Sequence, residues 1–408
     1  MSEKVGRGGK LAALDRPLLI TTLLLIAIGI ALIYSADYAL EDALHLKKQA
    51  LFATVGIILM LILALSPLRY IYGWTFLYYG LILLALLAVK LFGRETLGAV
   101  RWLTIFGVNV QPSEPAKLAV ILAGARFLGQ LRPDELGWRS ILLMVGITLP
   151  IALLIITQPD LGTSTVFPVI AIAMLAWSGL PIWYFLIVAL PFVSLFTAAL
   201  PYITLPLMLG GFFLLWRSGM RWVGTILMIL LCAASAYFAP IVWNNLEPYQ
   251  QDRLTTFLDP EKDPLGSGYQ IIQSKVAIGS GGIQGAGYLK GTQTQLRFLP
   301  QQHTDFIFAL AGEEFGLIGA TTILILFLIY GWRGFRIASR AKTPFASLLA
   351  VGITSMITYH AMVNIGMAVG MLPVTGLPLP FISYGGSFLL TCIVNTGFLL
   401  SVGLHRRE

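Results

Sequence analysis

The chain is expected to be all-α: a polytopic integral membrane protein of about ten to twelve transmembrane helices with one large extracytoplasmic loop. Three observations lead there. Of its 408 residues 57% are apolar and only 11% charged, and the mean hydropathy of +0.83 lies far above that of a soluble globular domain. Apolar runs of about 17–25 residues recur along the chain, each long enough to cross a hydrocarbon core of about 30 Å. The short alternating segments of a membrane β-barrel do not occur.

The first run, 17-PLLITTLLLIAIGIALIYS-35, follows Lys4, Arg7, Lys10 and Arg16. It is too long for a cleavable signal segment and reads as the first span. Further spans are expected near 49–66, 75–93, 115–131, 139–158, 161–178, 181–200, 203–216, 222–243, 304–330, 345–370 and 385–403. The run 203–216 is short for a full crossing, so it reads as re-entrant or tilted. Twelve spans put both termini on one side, and charge tests the count. The even-numbered connections carry Arg69; Arg126, Arg132 and Arg139; Arg217 and Arg221; and Arg333, Arg336, Arg340 and Lys342, while the tail adds Arg406 and Arg407. Cationic loops stay in the cytoplasm. Both termini are therefore expected there, with the loop 244–303 outside and two shorter external stretches, 94–114 and 371–387, approaching it.

Residues 1–408 read as a single membrane domain. The formal charge of +8 belongs mostly to the cytoplasmic loops, so no nucleic-acid partner is expected. Cys232 and Cys392 sit in apolar runs as inert fillers, without disulfide or zinc spacing. The glycines of 279-GSGGIQGAG-287 do not fit a dinucleotide fingerprint, and no phosphate-loop lysine follows. No cofactor and no metal site are expected.

Four constellations could carry chemistry. In the large loop, Asp259, Glu261, Lys262 and Asp263 precede Pro264, which favours extended backbone, and Gly266 and Gly268, which let the chain turn sharply. The next stretch, 269-YQIIQSKVAI-278, has helical spacing suited to the membrane surface. A solvated turn explains the same acids, and the residues alone favour that plainer account. In 111-QPSEPAK-117, Ser113 suits a helix cap, and Glu114 and Lys117 share one face and can pair, with or without a function. In 303-HTDFIFALAGEEFG-316, His303 and Asp305 stand at the mouth of a span, with Glu313 and Glu314 two to three turns deeper, where carboxylates are costly. Lastly, 371-MLPVTGLPLPFISYGGS-387 cannot be a straight span, and irregular backbone at membrane depth lines a polar cavity or is buried in protein. By similar logic 158-QPDLGTS-164 is a short external hinge with Asp160 at a helix start.

Several of these runs together carry a resemblance. The stretches 112-PSE-114, 157-TQPDLGTS-164, 259-DPEKDPLGSGYQIIQSKVAIGSGG-282, 298-FLPQQHTDFIFALAGEEFGLIG-319 and 373-PVTGLPLPFISYGGS-387 extend over most of the chain. They resemble the SEDS family, and its RodA branch more than the division-specific FtsW branch. The resemblance implies a peptidoglycan glycosyltransferase of the bacterial cytoplasmic membrane that polymerises lipid II at the outer face. It also implies a class B penicillin-binding protein as the crosslinking partner. The family's essential loop aspartate lies in a D-P-[LF]-G motif, which matches Asp263. Family members usually have ten spans, so the excess here falls on 181–222, expected to be an extra helical pair that leaves Asp263 external.

On that reading Asp263 is the general base for the acceptor sugar hydroxyl, and cations stabilise the departing diphosphate. Arg101 and Lys117 are the candidates, with Lys48 weaker and Glu114 orienting Lys117. Asp160, His303, Asp305 and Ser383 are expected to line the substrate site. Membrane lipids surround the apolar spans, which guide the polyprenyl tails. Two other classes use the same features: a lipid II flippase, which needs alternating access, and a non-catalytic scaffold for the penicillin-binding protein.

Overall fold

A chain inside a bilayer must satisfy its own backbone, so each long apolar run closes into a helix. The computed structural model describes residues 14–38, 44–96, 99–105, 108–158, 160–187, 222–245, 268–296, 298–299 and 301–405, with the isolated positions 189, 206, 209–211, 213 and 251. Three helices open the chain: α1 (Arg16–Tyr38), α2 (Leu44–Leu65) and α3 (Leu68–Phe92). After a small sheet come α4 (Ser113–Leu128), α5 (Trp138–Ile156), α6 (Leu161–Trp177) and α7 (Trp222–Asn244). Two shorter helices follow, α8 (Tyr269–Ser280) and α9 (Thr292–Gln295). The chain closes with α10 (Ile307–Ser339), α11 (Pro344–Ala368) and α12 (Gly386–Leu404).

Among the described residues seven helices, α1, α2, α3, α5, α10, α11 and α12, are long and apolar enough to cross a membrane. α6 is a shorter apolar helix. Eight of the expected spans agree with these helices to within a few residues, apart from the starts of α2 and α3 and the end of α10. The expected spans 115–131 and 222–243 fall on α4 and α7, and α4, at 16 residues, is not among the helices long enough to cross. The expected pair at 181–200 and 203–216 lies mostly outside the described residues, although 182–187 is helical.

The stretch 94–114 differs from a plain polar connector. It forms a three-stranded antiparallel meander of β1 (Arg94–Thr96), β2 (Ala99–Ile105) and β3 (Val108–Val110), in the order β1-β2-β3. Arg94 pairs with Trp102 and Leu103 with Val110. β-branched residues in strings too short to span a bilayer favour pairing with each other.

α11 and α12 occupy the centre of the bundle, with 78% and 83% of their best apolar windows buried. α4 runs beside them and is buried throughout from Ala116 to Ala125. One end of the bundle gathers the start of α1 and the ends of α10 and α12. There Arg333 binds Asp15 (Nε to Oδ1 3.0 Å), Ser401 Oγ donates to the Ser66 carbonyl (2.8 Å), and Trp177 Nε1 donates to Ser347 Oγ (2.9 Å). The opposite end gathers the sheet, the starts of α2, α4, α6, α10 and α12, and helix α8.

Helix α10 is broken at Gly316 (φ 63°, ψ −158°). The glycine-rich run after α8 fills the break and takes up the freed backbone groups. Ala286 N donates to the Glu313 carbonyl (2.9 Å), Gly287 N to that of Glu314 (3.0 Å), and Leu317 N to that of Gly282 (2.9 Å). Close approach of backbone accounts for Gly281 and Gly285. Gly285 (φ 84°) has the Glu314 carbonyl where a Cβ would stand. Gly285→Ala is expected to cost at least about 1–3 kcal/mol from backbone strain alone, read as a lower thermal midpoint in detergent. An unchanged midpoint would show that the strap does not support the broken helix.

Candidate active site

The start of α4 carries a pair of buried charges, Glu114 and Lys117. Lys117 Nζ donates to both oxygens of Glu114, at 3.0 and 2.9 Å, and the lysine is fully buried. Its ammonium also lies 5.1 Å from the centre of the Phe388 ring, a cation–π contact from α12. Pairing at i,i+3 follows from the spacing alone; the burial does not. Pro112, rather than Ser113, occupies the cap position, and Ser113 Oγ is buried without a hydrogen-bond partner. Prolines at 112 and 115 stiffen this entry, which starts the helix one residue earlier than a serine cap would.

Asp160 caps α6, with Oδ1 accepting from Thr163 N (3.1 Å) and Oδ2 from Thr163 Oγ1 (2.9 Å). Gln111, just before α4, donates to the same Oδ2 at 3.4 Å. Asp160 is also near enough to Glu114 for their charges to interact. Arg101, half-buried on β2, donates from Nε to the Gln158 carbonyl at 3.4 Å, which fastens the sheet to the α5–α6 hinge. Arg101, Glu114, Lys117 and Asp160 thus form one neighbourhood, as the motifs suggested.

The segment 369–385 between α11 and α12 has no helix, as its prolines and glycines imply. Ser383 is nearly fully buried, and its hydroxyl donates to the Thr304 carbonyl (2.6 Å) while accepting from Leu379 N (2.8 Å). It therefore pins this segment to the mouth of α10. Asn364 Nδ2 donates to the carbonyls of Asp305 (2.9 Å) and Leu377 (2.8 Å), joining α11 to both strands of that seam. The Asp305 side chain lies towards Gly376. Against the other side, the Thr375 carbonyl approaches Gly162 so closely that a Cβ there would overlap it. The seam packs α6 and α10 against one irregular strand.

His303 belongs to a group that the sequence reading named only in part. Its ring stacks on His45 at 4.7 Å between centres, and Tyr384 stands edge-on to both rings. His45 Nδ1 is 2.8 Å from Asp37 Oδ1, and Asp37 Oδ2 accepts from Leu46 N (2.9 Å). Gln49 binds the seam, donating to the Ser383 carbonyl at 3.0 Å. Asp37, His45 and Gln49 lie in no run quoted for the family resemblance. The spacing of Asp37 and His45 across a short connection was the only signal available.

Burial and the neighbouring His45 hold His303 below its ordinary pKa of 6.5, partly offset by Asp37. Burial, then the Asp37 charge, pushes the Tyr384 hydroxyl up. The sign for His303 is direct: above 6.5 folded and unfolded chains are both neutral there, whereas below it the unfolded chain binds the proton first. Stability should therefore fall as pH drops from 6.5 towards the lowered folded value. Thermal midpoints of wild type should decline more steeply than those of His303→Gln over that window. Parallel curves would remove His303 from the effect.

Lys48 is exposed near the start of α2, next to Gln49. Asp263, with Asp259, Glu261 and Lys262, lies outside the described residues. Deeper in α10, Glu313 accepts from Gln293 N (2.7 Å), and Glu314 accepts from Ser35 and from Leu289 N (3.2 Å). These two carboxylates serve the strap at the helix break. No group of three or more His, Cys, Asp or Glu side chains suited to a metal occurs among the described residues.

All described candidates therefore gather at the end of the bundle opposite the Asp15–Arg333 pair. The family model of the FtsW, RodA and SpoVE cell cycle proteins matches residues 16–207 and 203–408. Peptidoglycan glycosyltransferase MrdB of Escherichia coli is 39% identical over 396 residues, covering 97% of this chain and 94% of that protein. Peptidoglycan glycosyltransferase RodA of Treponema pallidum is 35% identical, covering 96% and 98%. Among solved structures, a chain of a peptidoglycan synthase complex that coordinates polymerization and crosslinking superposes with a TM-score of 0.75 at 29% identity, covering 97% and 99%. The rod shape determining protein RodA of Thermus thermophilus gives 0.64 at 26% identity, covering 97% and 98%. With the model match and these relatives covering nearly its whole length, the chain belongs to the FtsW/RodA/SpoVE family of bacterial integral membrane proteins.

Proposed function

We propose that this chain is a peptidoglycan glycosyltransferase that polymerises lipid II, with Asp263 as its general base at the extracytoplasmic face. The observation that carries the reading is the convergence of the family motifs on one end of the bundle. Glu114, Lys117, Asp160, His303, Asp305 and Ser383 gather there from four separate stretches. Arg69 and Arg333, at helix ends, and Arg132 and Lys342, in connections, lie towards the other end, which the distribution of cationic residues assigns to the cytoplasm. Both termini are then cytoplasmic and the polar end faces outward. Asp263 stands five positions before Gly268, which is buried at that polar end.

The 4-hydroxyl of one lipid-linked sugar loses its proton to Asp263 while its oxygen attacks the anomeric carbon of the other. The bond from that carbon to the diphosphate breaks, and the diphosphate leaves on its polyprenyl carrier with both electrons of that bond. Attack from the opposite face inverts the α linkage to β-1,4. A glycosidase must protonate a poor leaving group, whereas diphosphate needs only positive charge beside it. Arg101 is partly accessible for that role and Lys48 is exposed. Lys117 is enclosed by Glu114 and Phe388, so it acts from within the wall, as a fixed charge behind the site. His303 and Asp305 line the sugar side. Both substrates stay tethered in the membrane, which lowers the cost of their meeting.

A class B penicillin-binding protein crosslinks the strands as the partner. The test is labelled lipid II incubated with the purified protein and its partner, the partner's transpeptidase blocked, comparing wild type with Asp263→Asn. Lipid II moved across vesicles without polymer would instead indicate a flippase, no polymer from the wild type would leave a scaffold, and full polymerisation by the variant would move the general base elsewhere in the chain.

A further inference from the structure

Buried polar side chains are nearly always hydrogen-bonded, so the exceptions mark water or function. His360 on α11 is one such exception. Its ring is fully buried, and neither nitrogen has a hydrogen-bond partner, the Pro378 carbonyl lying beside it but outside bonding geometry. The ring packs on Phe388 at 4.9 Å between centres, and Phe388 is also the ring that faces the Lys117 ammonium at 5.1 Å. The imidazole and the Lys117 ammonium thus share one aromatic neighbour. One turn further along the same face of α11, Asn364 gives its Nδ2 to two carbonyls and keeps a buried Oδ1 without a partner.

An ammonium carries three N–H donors, and Glu114 engages two of them through its two oxygens. A charged ring would be held fully out of water with no hydrogen-bond partner, so the ring is neutral. A neutral imidazole has one donor and one acceptor nitrogen. The Pro378 carbonyl favours the N–H on the nitrogen nearest to it, which leaves the other as an acceptor. An imidazole nitrogen and an amide oxygen, both buried without partners, together with an ammonium that has a spare N–H, would give one water the two to four partners that it needs.

We infer that His360 is a positioning residue for Lys117, whose third N–H it holds across one bridging water shared with Asn364. The inference rests on the proposed role of Lys117 in polymerisation and adds what fixes that charge in place. It also joins the Glu114–Lys117 pair to the Asp305 mouth, because Asn364 binds the Asp305 backbone.

The experiment measures kcat and KM for lipid II polymerisation by the complex with blocked transpeptidase. The variants are Lys117→Ala, His360→Leu, His360→Met and His360→Gln. Methionine fills the ring's volume without a nitrogen and serves if leucine prevents folding; glutamine restores an acceptor. His360→Leu and His360→Met should lose about tenfold in kcat with KM within about twofold, since misplacing one catalytic charge slows turnover more than it weakens binding. His360→Gln should return to within about threefold of wild type. A fast His360→Met overturns the inference, as does a His360→Gln that is as slow as the apolar variants. Lys117→Ala at the wild-type rate overturns the underlying role of Lys117 instead. A slow Lys117→Ala beside a fast His360→Met sinks the positioning role alone.

Discussion

Asp263→Asn should reduce lipid II polymerisation by about 10²- to 10⁴-fold, the usual contribution of a general base. Asparagine keeps the size of the side chain and can still accept a hydrogen bond, but it cannot take up the acceptor proton near neutral pH. The loss should therefore appear in kcat, with substrate binding and assembly with the partner unchanged. The size of the effect also separates roles. A carboxylate that only orders the loop would cost far less as asparagine, and a tenfold loss or smaller would point to positioning. Single-turnover rates with labelled lipid II, next to co-purification of the partner, measure both quantities at once. Undiminished turnover by the variant would move the base elsewhere in the chain.

Glu114→Gln should destabilise the folded protein by about 3–5 kcal/mol, because it leaves the Lys117 charge buried and unpaired. Lys117→Met should cost a similar amount by stranding Glu114. The double replacement Glu114→Gln with Lys117→Met should recover most of that stability, since apolar or neutral groups of similar volume often substitute for a buried pair without loss. Activity should not recover with it. That divergence is the useful result, because it shows that the pair is kept for its charge rather than for the fold. Denaturation midpoints in detergent and polymerisation rates on the same preparations give the comparison. Two single variants as stable as wild type would mean that water reaches Lys117, contrary to its complete burial.

Composition and periodicity were enough for the helices, because a bilayer leaves the backbone few alternatives. The apolar runs became α1 to α3, α5, α6 and α10 to α12. Pro and Gly between 371 and 387 ruled out a span, and the i,i+3 spacing of Glu114 and Lys117 made a pair. The small sheet at 94–110 was not foreseen, because short alternating strings carry little signal beside strong membrane runs. The glycines of 279–287 could be set aside as a nucleotide motif, yet nothing local in them announced a strap filling the break at Gly316.

The amino-acid order by itself determined the membrane class, the helices and the family motifs, since these depend on local periodicity and on residues close together in the chain. Only the tertiary structure decided that Lys117 is sealed between Glu114 and Phe388, that Asp37 and His45 join His303, and that His360 shares the Phe388 ring with that lysine. These arrangements depend on contacts between residues dozens to hundreds of positions apart, and no local pattern encodes which buried side chains will meet.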